Sequence, residues 1–131
     1  MVVVGTRPEI IKMAPVIRAL EKYSIPYVFV HCGQHYDYNM SQQFIEELEL
    51  PKPNYGFKVR AYSPGFQTGR IMTLIEKVIK KVKPSVMLVE GDTNGVLASA
   101  LAAVKLNAVS YTHLRAHETS LHLVCRLLLE K

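Results

Sequence analysis

Three short stretches of this chain carry residue types suited to holding and transforming a phosphorylated ligand. The first is GTRPE, residues 5–9. Thr6 and Glu9 stand at capping-box spacing, and Pro8 falls where a first helical turn tolerates its missing N–H. Gly5 would let the backbone turn sharply off a preceding strand. Arg7 adds a planar, permanently charged fork suited to phosphate. An ordinary capped helix with an exposed arginine fits the same spacing equally well. The second stretch is HCGQHYDYNM, with Gln34 and His35. The third is EGDTNGVLASA, where Asp92 and Thr93 precede a helical pattern. Asp92 or Asn94 can serve there as a plain helix cap, and His35 alone reads as a structural hydrogen-bonder. A GxGxxG or GxxxxGK[ST] fingerprint is absent, so neither a dinucleotide motif nor a P-loop is assigned.

The elements around these stretches decide whether they meet. Val2–Val4 is short, β-branched and apolar, which predicts a buried strand. From about Arg7 to Lys22, Ile10, Ile11, Ala14, Ile17 and Leu20 recur at helical spacing. Tyr27–His31 reads as a second strand and Asn39 to about Leu48 as a second helix, with Phe44, Ile45 and Leu48 inward. A turn-rich stretch follows, with a short strand expected near Phe57–Val59. Thr68–Lys83 reads as a third helix, ended by Lys83-Pro84. Val86–Val89 is another strand, and the alanine-rich Asn94–Lys105 a helix suited to close packing on a sheet. Alternating strands and helices imply an α/β fold with a parallel, doubly wound sheet. In such a sheet the turns bearing Arg7, Gln34/His35 and Asp92 all fall at the carboxyl edge, where ligands bind. A mixture of arginine, amide, imidazole and carboxylate suits a phosphorylated, hydroxyl-rich ligand.

Composition narrows the classes. The 131 residues are 49% hydrophobic and 21% charged, with a formal net charge of +5. That length supports one domain with a real core. Much of the positive excess lies in Lys77, Lys80, Lys81 and Lys83, which reads as a solvated helix end favourable to the dipole. Interleaved aromatics or a nucleic-acid module are missing, so nucleic acid is not expected as a partner. An apolar run of membrane-spanning length is also missing, and the opening residues do not read as a signal peptide. Two cysteines, Cys32 and Cys125, give no disulfide framework. A cytoplasmic location is the expectation.

GTRPEIIKMAPVI, GQHYD and MLVEGDTNGVLASALAA closely resemble the N-terminal domain of the non-hydrolysing UDP-N-acetylglucosamine 2-epimerases. The resemblance runs from residue 1 to about residue 109, with the motifs in order. It implies a Rossmann-like parallel sheet, truncated, forming the N-terminal half of a glycosyltransferase-B-like fold of two domains with the active site between them. It implies interconversion of UDP-GlcNAc and UDP-ManNAc by elimination and re-addition of UDP, without a nicotinamide cofactor or a required metal. It also implies a homodimeric full-length protein. By the resemblance, Asp92 matches a functionally important aspartate, and Arg7 and Lys12 match positions near the nucleotide and diphosphate. Gln34 and His35 match a loop that contributes to a second, regulatory UDP-GlcNAc site in some bacterial members. Asp37 stands where a glutamine occurs there, and Phe66 stands where an arginine is expected, so substrate regulation is not assigned.

The pattern breaks after NAV. The family continues with roughly HVEAGLRS, whose glutamate is a catalytic candidate, whereas this chain reads SYTHLRAHETSLHLVCRLLLEK. His113, His117, His122 and Cys125 resemble a metal-ligand set, but the histidines of HETSLH are five apart and miss the HExxH form. A Leu-rich helix over 121–129 is a second reading. Residues 110–131 also resemble translated sequencing-adaptor read-through, and this is the preferred reading. The expected division is therefore a partial UDP-sugar epimerase domain over 1–109 and a non-family tail over 110–131. Without the glutamate-bearing loop and a second domain, the chain alone is expected to be inactive. The alternatives are a non-catalytic nucleotide-sugar-binding half-domain and a fragment of a UDP-sugar glycosyltransferase.

Overall fold

Val2–Val4 form strand β1, and all three side chains are only 1–2% exposed. Neighbours on a strand point to opposite faces, so Val3 packs with Val30, Met87 and Val89 on one side. Val2 and Val4 pack with Phe29, Ile10 and Ile17 on the other. A strand covered on both faces belongs in the middle of a parallel sheet. The structure, a computed structural model, describes residues 1–33, 38–60 and 62–113, with only the backbone described for 38–41 and 109–113.

The remaining elements are α1 (Arg7–Lys22), β2 (Phe29–His31), α2 (Tyr38–Glu47), β3 (Tyr55–Gly56), α3 (Pro64–Val82), β4 (Val86–Glu90), α4 (Asn94–Lys105) and β5 (Val109–His113). The five strands pair in parallel in the order β3-β2-β1-β4-β5. Helices α1 and α2 cover one face and α3 and α4 the other, each with its own apolar cluster. The chain moves outward from β1 through β2 to β3, then crosses back through α3 to place β4 on the far side of β1. The order therefore reverses between β1 and β4, and at such a point a crevice opens beyond the carboxyl ends of the strands. Among the described residues, no helix is long and apolar enough to cross a membrane.

Several boundaries differ from the sequence reading for local reasons. The expected strand at Phe57–Val59 lies earlier, at Tyr55–Gly56. Asn54 sets that register: its Oδ1 accepts from Phe29 N and its own N donates to Phe29 O, both at 2.8 Å. Helix α3 begins one turn before Thr68. Ser63 caps it, accepting from Phe66 N at 3.2 Å, and Pro64 takes the first position. It ends as expected, at Lys83 in the left-handed conformation (φ 49°) before Pro84. Strand β2 is shorter than Tyr27–His31, although Val28 O already accepts from Val2 N at 2.8 Å. Strand β5 was not foreseen. It pairs residue for residue with Val86–Glu90, because an edge strand needs backbone partners rather than an apolar run.

Candidate functional site

Glu9 organises the carboxyl edge at the β1–β4 crevice. It is 3% exposed, and donors from two separate turns converge on its carboxylate. Its Oε2 accepts from Gly5 N at 2.6 Å and from Thr6 N at 3.3 Å. Its Oε1 accepts from Thr93 Oγ1 at 2.8 Å, across the gap to the turn after β4. The return arm of the expected capping box is thus present, with Thr6 as the N-cap residue. Burial pushes the Glu9 carboxyl above its ordinary value, and the bonds from Thr93, Gly5 and Thr6 oppose that rise. Gly5 turns the chain off β1 without a left-handed conformation. Among the described glycines a positive φ falls to Gly33 (φ 66°) after β2 and Gly91 (φ 114°) after β4.

Arg7 stands at the first position of α1 and is exposed. Its guanidinium carbon lies 3.8 Å from the centroid of the Phe44 ring, so α2 supplies a platform for it. Lys12, the second expected cation, is partnered: Nζ donates to Glu90 Oε1 at 2.7 Å. Glu90 is the last residue of β4 and is 8% exposed.

Asp92 and Asn94 were both considered as caps of the following helix, and neither fills that place. Thr93 is the N-cap of α4, accepting from Val96 N at 3.3 Å. Asn94 instead donates from Nδ2 to Gln67 Oε1 of α3 at 3.0 Å. The exposed Asp92 carboxylate makes no hydrogen bond or ion pair among the described residues. Gln34, His35 and Asp37 lie outside the described residues, as do His117, His122, Cys125 and the leucine-rich 121–129 segment. Cys32 is buried and not in a disulfide. Phe66, at the position where the arginine was expected, is half exposed and meets Tyr62 edge-to-face at 5.3 Å.

The structure thus brings the Arg7 turn and the Asp92 turn together through Glu9 and Thr93. Sequence reasoning missed Glu90, Phe44 as a platform, and the Glu9–Thr93 bond. A carboxylate ending the apolar strand VMLVE was the visible signal for Glu90. Nothing local announces a bond between residues 84 positions apart. The exposed Arg7 and Asp92 stand here beside a hydrogen-bonded framework of Glu9, Thr93, Lys12 and Glu90. A cation and a carboxylate at one sheet edge are chemically suited to holding an anion and to proton transfer. A cavity of about 540 Å³ opens at the opposite, amino edge between Met1, Tyr27, Val82 and Val86. It is apolar and holds none of these groups.

Comparisons with known proteins agree on one family. A family model described as UDP-N-acetylglucosamine 2-epimerase matches residues 18–120. The UDP-N-acetylglucosamine 2-epimerase of Methanocaldococcus jannaschii is 50% identical over 115 residues, covering 88% of this chain and 31% of that protein. The UDP-2,3-diacetamido-2,3-dideoxy-D-glucuronate 2-epimerase of Pseudomonas aeruginosa is 44% identical over 117 residues, covering 88% of this chain and 33% of that protein. A crystal structure of the Methanocaldococcus jannaschii UDP-GlcNAc 2-epimerase with UDP-GlcNAc and UDP superposes with a TM-score of 0.80 at 50% identity. It covers 85% of this chain and 31% of the solved one. The chain therefore spans about a third of the length of these relatives. Its sheet is a Rossmann-like portion of a glycosyltransferase-B-like architecture.

Proposed function

The chain belongs to the UDP-N-acetylglucosamine 2-epimerase family, and we propose that it is the N-terminal portion of an enzyme interconverting UDP-GlcNAc and UDP-ManNAc. The C2 proton of the sugar is not acidic enough for easy direct removal. Anti elimination avoids that difficulty. A base takes the C2 proton as the C1–O bond breaks, and UDP leaves with the electron pair, giving 2-acetamidoglucal. UDP then adds back to C1 while a proton reaches C2 on the other face. Both stages need a carboxylate for the proton and cations for the charge on the diphosphate.

In this reading Arg7 and Lys12 face the diphosphate, and Asp92 transfers a proton or positions the group that does. Gln34 and His35 belong to the neighbouring substrate loop. The observation that carries the reading is the exposed Asp92 carboxylate, without a hydrogen bond or ion pair among the described residues, at the same sheet edge as Arg7, with the capping duty taken by Thr93. A full-length homodimer in the cytoplasm goes with it. So does a departure from the native reading frame near residues 108–110, beyond which genomic DNA is expected to read with an HVEAG-like continuation of the same domain.

The test is incubation of the full-length protein with UDP-GlcNAc in heavy water. UDP-ManNAc carrying deuterium at C2 is the expected product. The 2,3-diacetamido glucuronate analogue serves as the comparison substrate, because the Pseudomonas aeruginosa relative bears that name. Tight UDP binding without exchange on either substrate would favour a non-catalytic nucleotide-sugar-binding domain. Sugar transfer to an acceptor would favour a glycosyltransferase. The 131-residue chain alone is expected to give no product.

A further inference from the structure

Both chain neighbours of Asp92 are set against one side chain, that of Glu9: Thr93 bonds to it, and Gly91 leaves little room between them for a side chain of its own. Thr93 donates to Glu9 Oε1 at 2.8 Å. On the other side, a Cβ placed on Gly91 would lie 3.3 Å from Glu9 Cγ and 3.4 Å from its Oε1. Gly91 also holds φ 114°, so the turn is closed against the Glu9 stem in a conformation that side chains disfavour. Glu9 is itself anchored in its own turn by the amides of Gly5 and Thr6. We propose that Glu9 is a positioning residue for Asp92, clamping the turn after β4 to the turn after β1 so that the Asp92 carboxylate is presented at the crevice in one place.

A carboxylate serves this clamp better than an amide. A capping box alone is served by glutamine as well as by glutamate. Here three donors meet two oxygens, so both oxygens must accept. Glutamine can accept on one side only. Turned so that its oxygen meets the amides of Gly5 and Thr6, it presents an NH₂ group to Thr93, so the Thr93 O–H loses its carboxylate acceptor. The bond across the gap survives only reversed, as a weaker neutral one in which the hydroxyl oxygen accepts from that NH₂ as well as from Val96 N. The clamp then loosens while α1 keeps its cap. Displacing a reacting group by about 1 Å costs roughly a hundredfold in rate.

The inference rests on the reading of Asp92 given above, and its test separates the two. In the full-length protein, Glu9→Gln is expected to lower kcat for C2 exchange by about ten- to a hundredfold with KM within about twofold. Thr93→Asp keeps a good helix cap but turns a second carboxylate towards Glu9. It is expected to lose rate similarly, whereas Thr93→Ser keeps the hydroxyl and stays near wild type. The double variant Glu9→Gln, Thr93→Asp lets the glutamine NH₂ donate to the new carboxylate, and part of the lost kcat is expected to return. In an Asp92→Asn background, Glu9→Gln is expected to lower the residual rate no further. Equal loss in both backgrounds would make Glu9 merely structural and overturn the proposal. Unchanged kcat in both Glu9→Gln and Thr93→Asp would overturn it too. If Asp92→Asn alone is fully active, the reading of Asp92 fails, and the proposal fails with it.

Discussion

Lys12 Nζ lies 2.7 Å from Glu90 Oε1 and ties the second turn of α1 to the last residue of β4. The Glu90 side chain is 10% exposed and that of Lys12 37%, so the carboxylate is the partner that depends on the bond. Removing the ammonium leaves that carboxylate buried and unpaired. Lys12→Met is expected to cost about 1.5–3 kcal/mol in urea unfolding. Glu90→Gln is expected to cost less, because its amide oxygen still accepts from the ammonium. An unchanged unfolding midpoint in Lys12→Met would show that the pair does not hold the two elements together.

Arg7 stacks on Phe44 at the mouth of α1. In the full-length protein, Arg7→Ala is expected to weaken UDP binding and lower turnover, each by roughly ten- to a hundredfold, the value of a hydrogen bond to a charged group. Arg7→Lys keeps the charge but loses the fork and the stacking plane, so it should recover only part of the loss. Phe44→Leu removes the platform alone. A cation–π contact at an exposed site is worth about 0.5–1 kcal/mol, so a two- to fivefold weaker UDP affinity is expected by calorimetry. Wild-type affinity and turnover in Arg7→Ala would remove Arg7 from the site.

His31 gives the fold a pH dependence. Burial pushes its imidazole from the ordinary 6.5 down to about 4. The folded state therefore takes up its proton only near pH 4, while the unfolded chain does so near 6.5. Stability from this group is complete above 6.5 and is lost as pH falls through the interval to about 4, by about 3 kcal/mol in all. Glu9 acts in the opposite sense. Its folded value is raised above 4.5, so its contribution is present below 4.5 and is lost as pH rises through the folded value. His31→Gln removes only the first effect. The expected outcome is a shallower fall in urea midpoint between pH 6.5 and 4 than wild type shows. Identical slopes would mean that His31 titrates normally.

Gly33 marks a close backbone approach. It holds φ 66°, and a Cβ there would lie 1.7 Å from the carbonyl oxygen of Phe57. That contact is with backbone, which cannot swing aside as a side chain can. Gly33→Ala is expected to cost about 4 kcal/mol or more, among the larger single-residue effects. Loss of soluble protein or a melting temperature lowered by many degrees is the expected result. A wild-type melting temperature would contradict the turn geometry.

Much of this arrangement could be read in the sequence because its causes are local. Three consecutive valines, the 3/4 spacing of Ile10, Ala14 and Ile17, and the Lys83-Pro84 stop are short-range signals, and the structure follows them. The parallel sheet and the placing of the Arg7 and Asp92 turns at one edge came from alternation of strand and helix. What remained hidden depends on partners distant in the chain. Asn54 moved β3 by bonding Phe29, and β5 formed on a polar stretch because β4 offered a free backbone edge. At the site, the bond from Lys12 to Glu90 could not be read because the two lie 78 residues apart. Asp92 was weighed as a cap because the sequence places three capping residue types, Asp92, Thr93 and Asn94, in a row. Only geometry chooses among them, and it chooses Thr93.

The most direct test of the whole reading is C2 deuterium exchange in heavy water by full-length Asp92→Asn. The substitution keeps shape and hydrogen-bonding capacity but removes the carboxylate's proton chemistry. Since Thr93 is the cap of α4, the helix loses nothing. Turnover is expected to fall by about 10²–10⁴, with UDP affinity nearly intact. Exchange at the wild-type rate would leave the Asp92 carboxylate without a catalytic role and contradict the account.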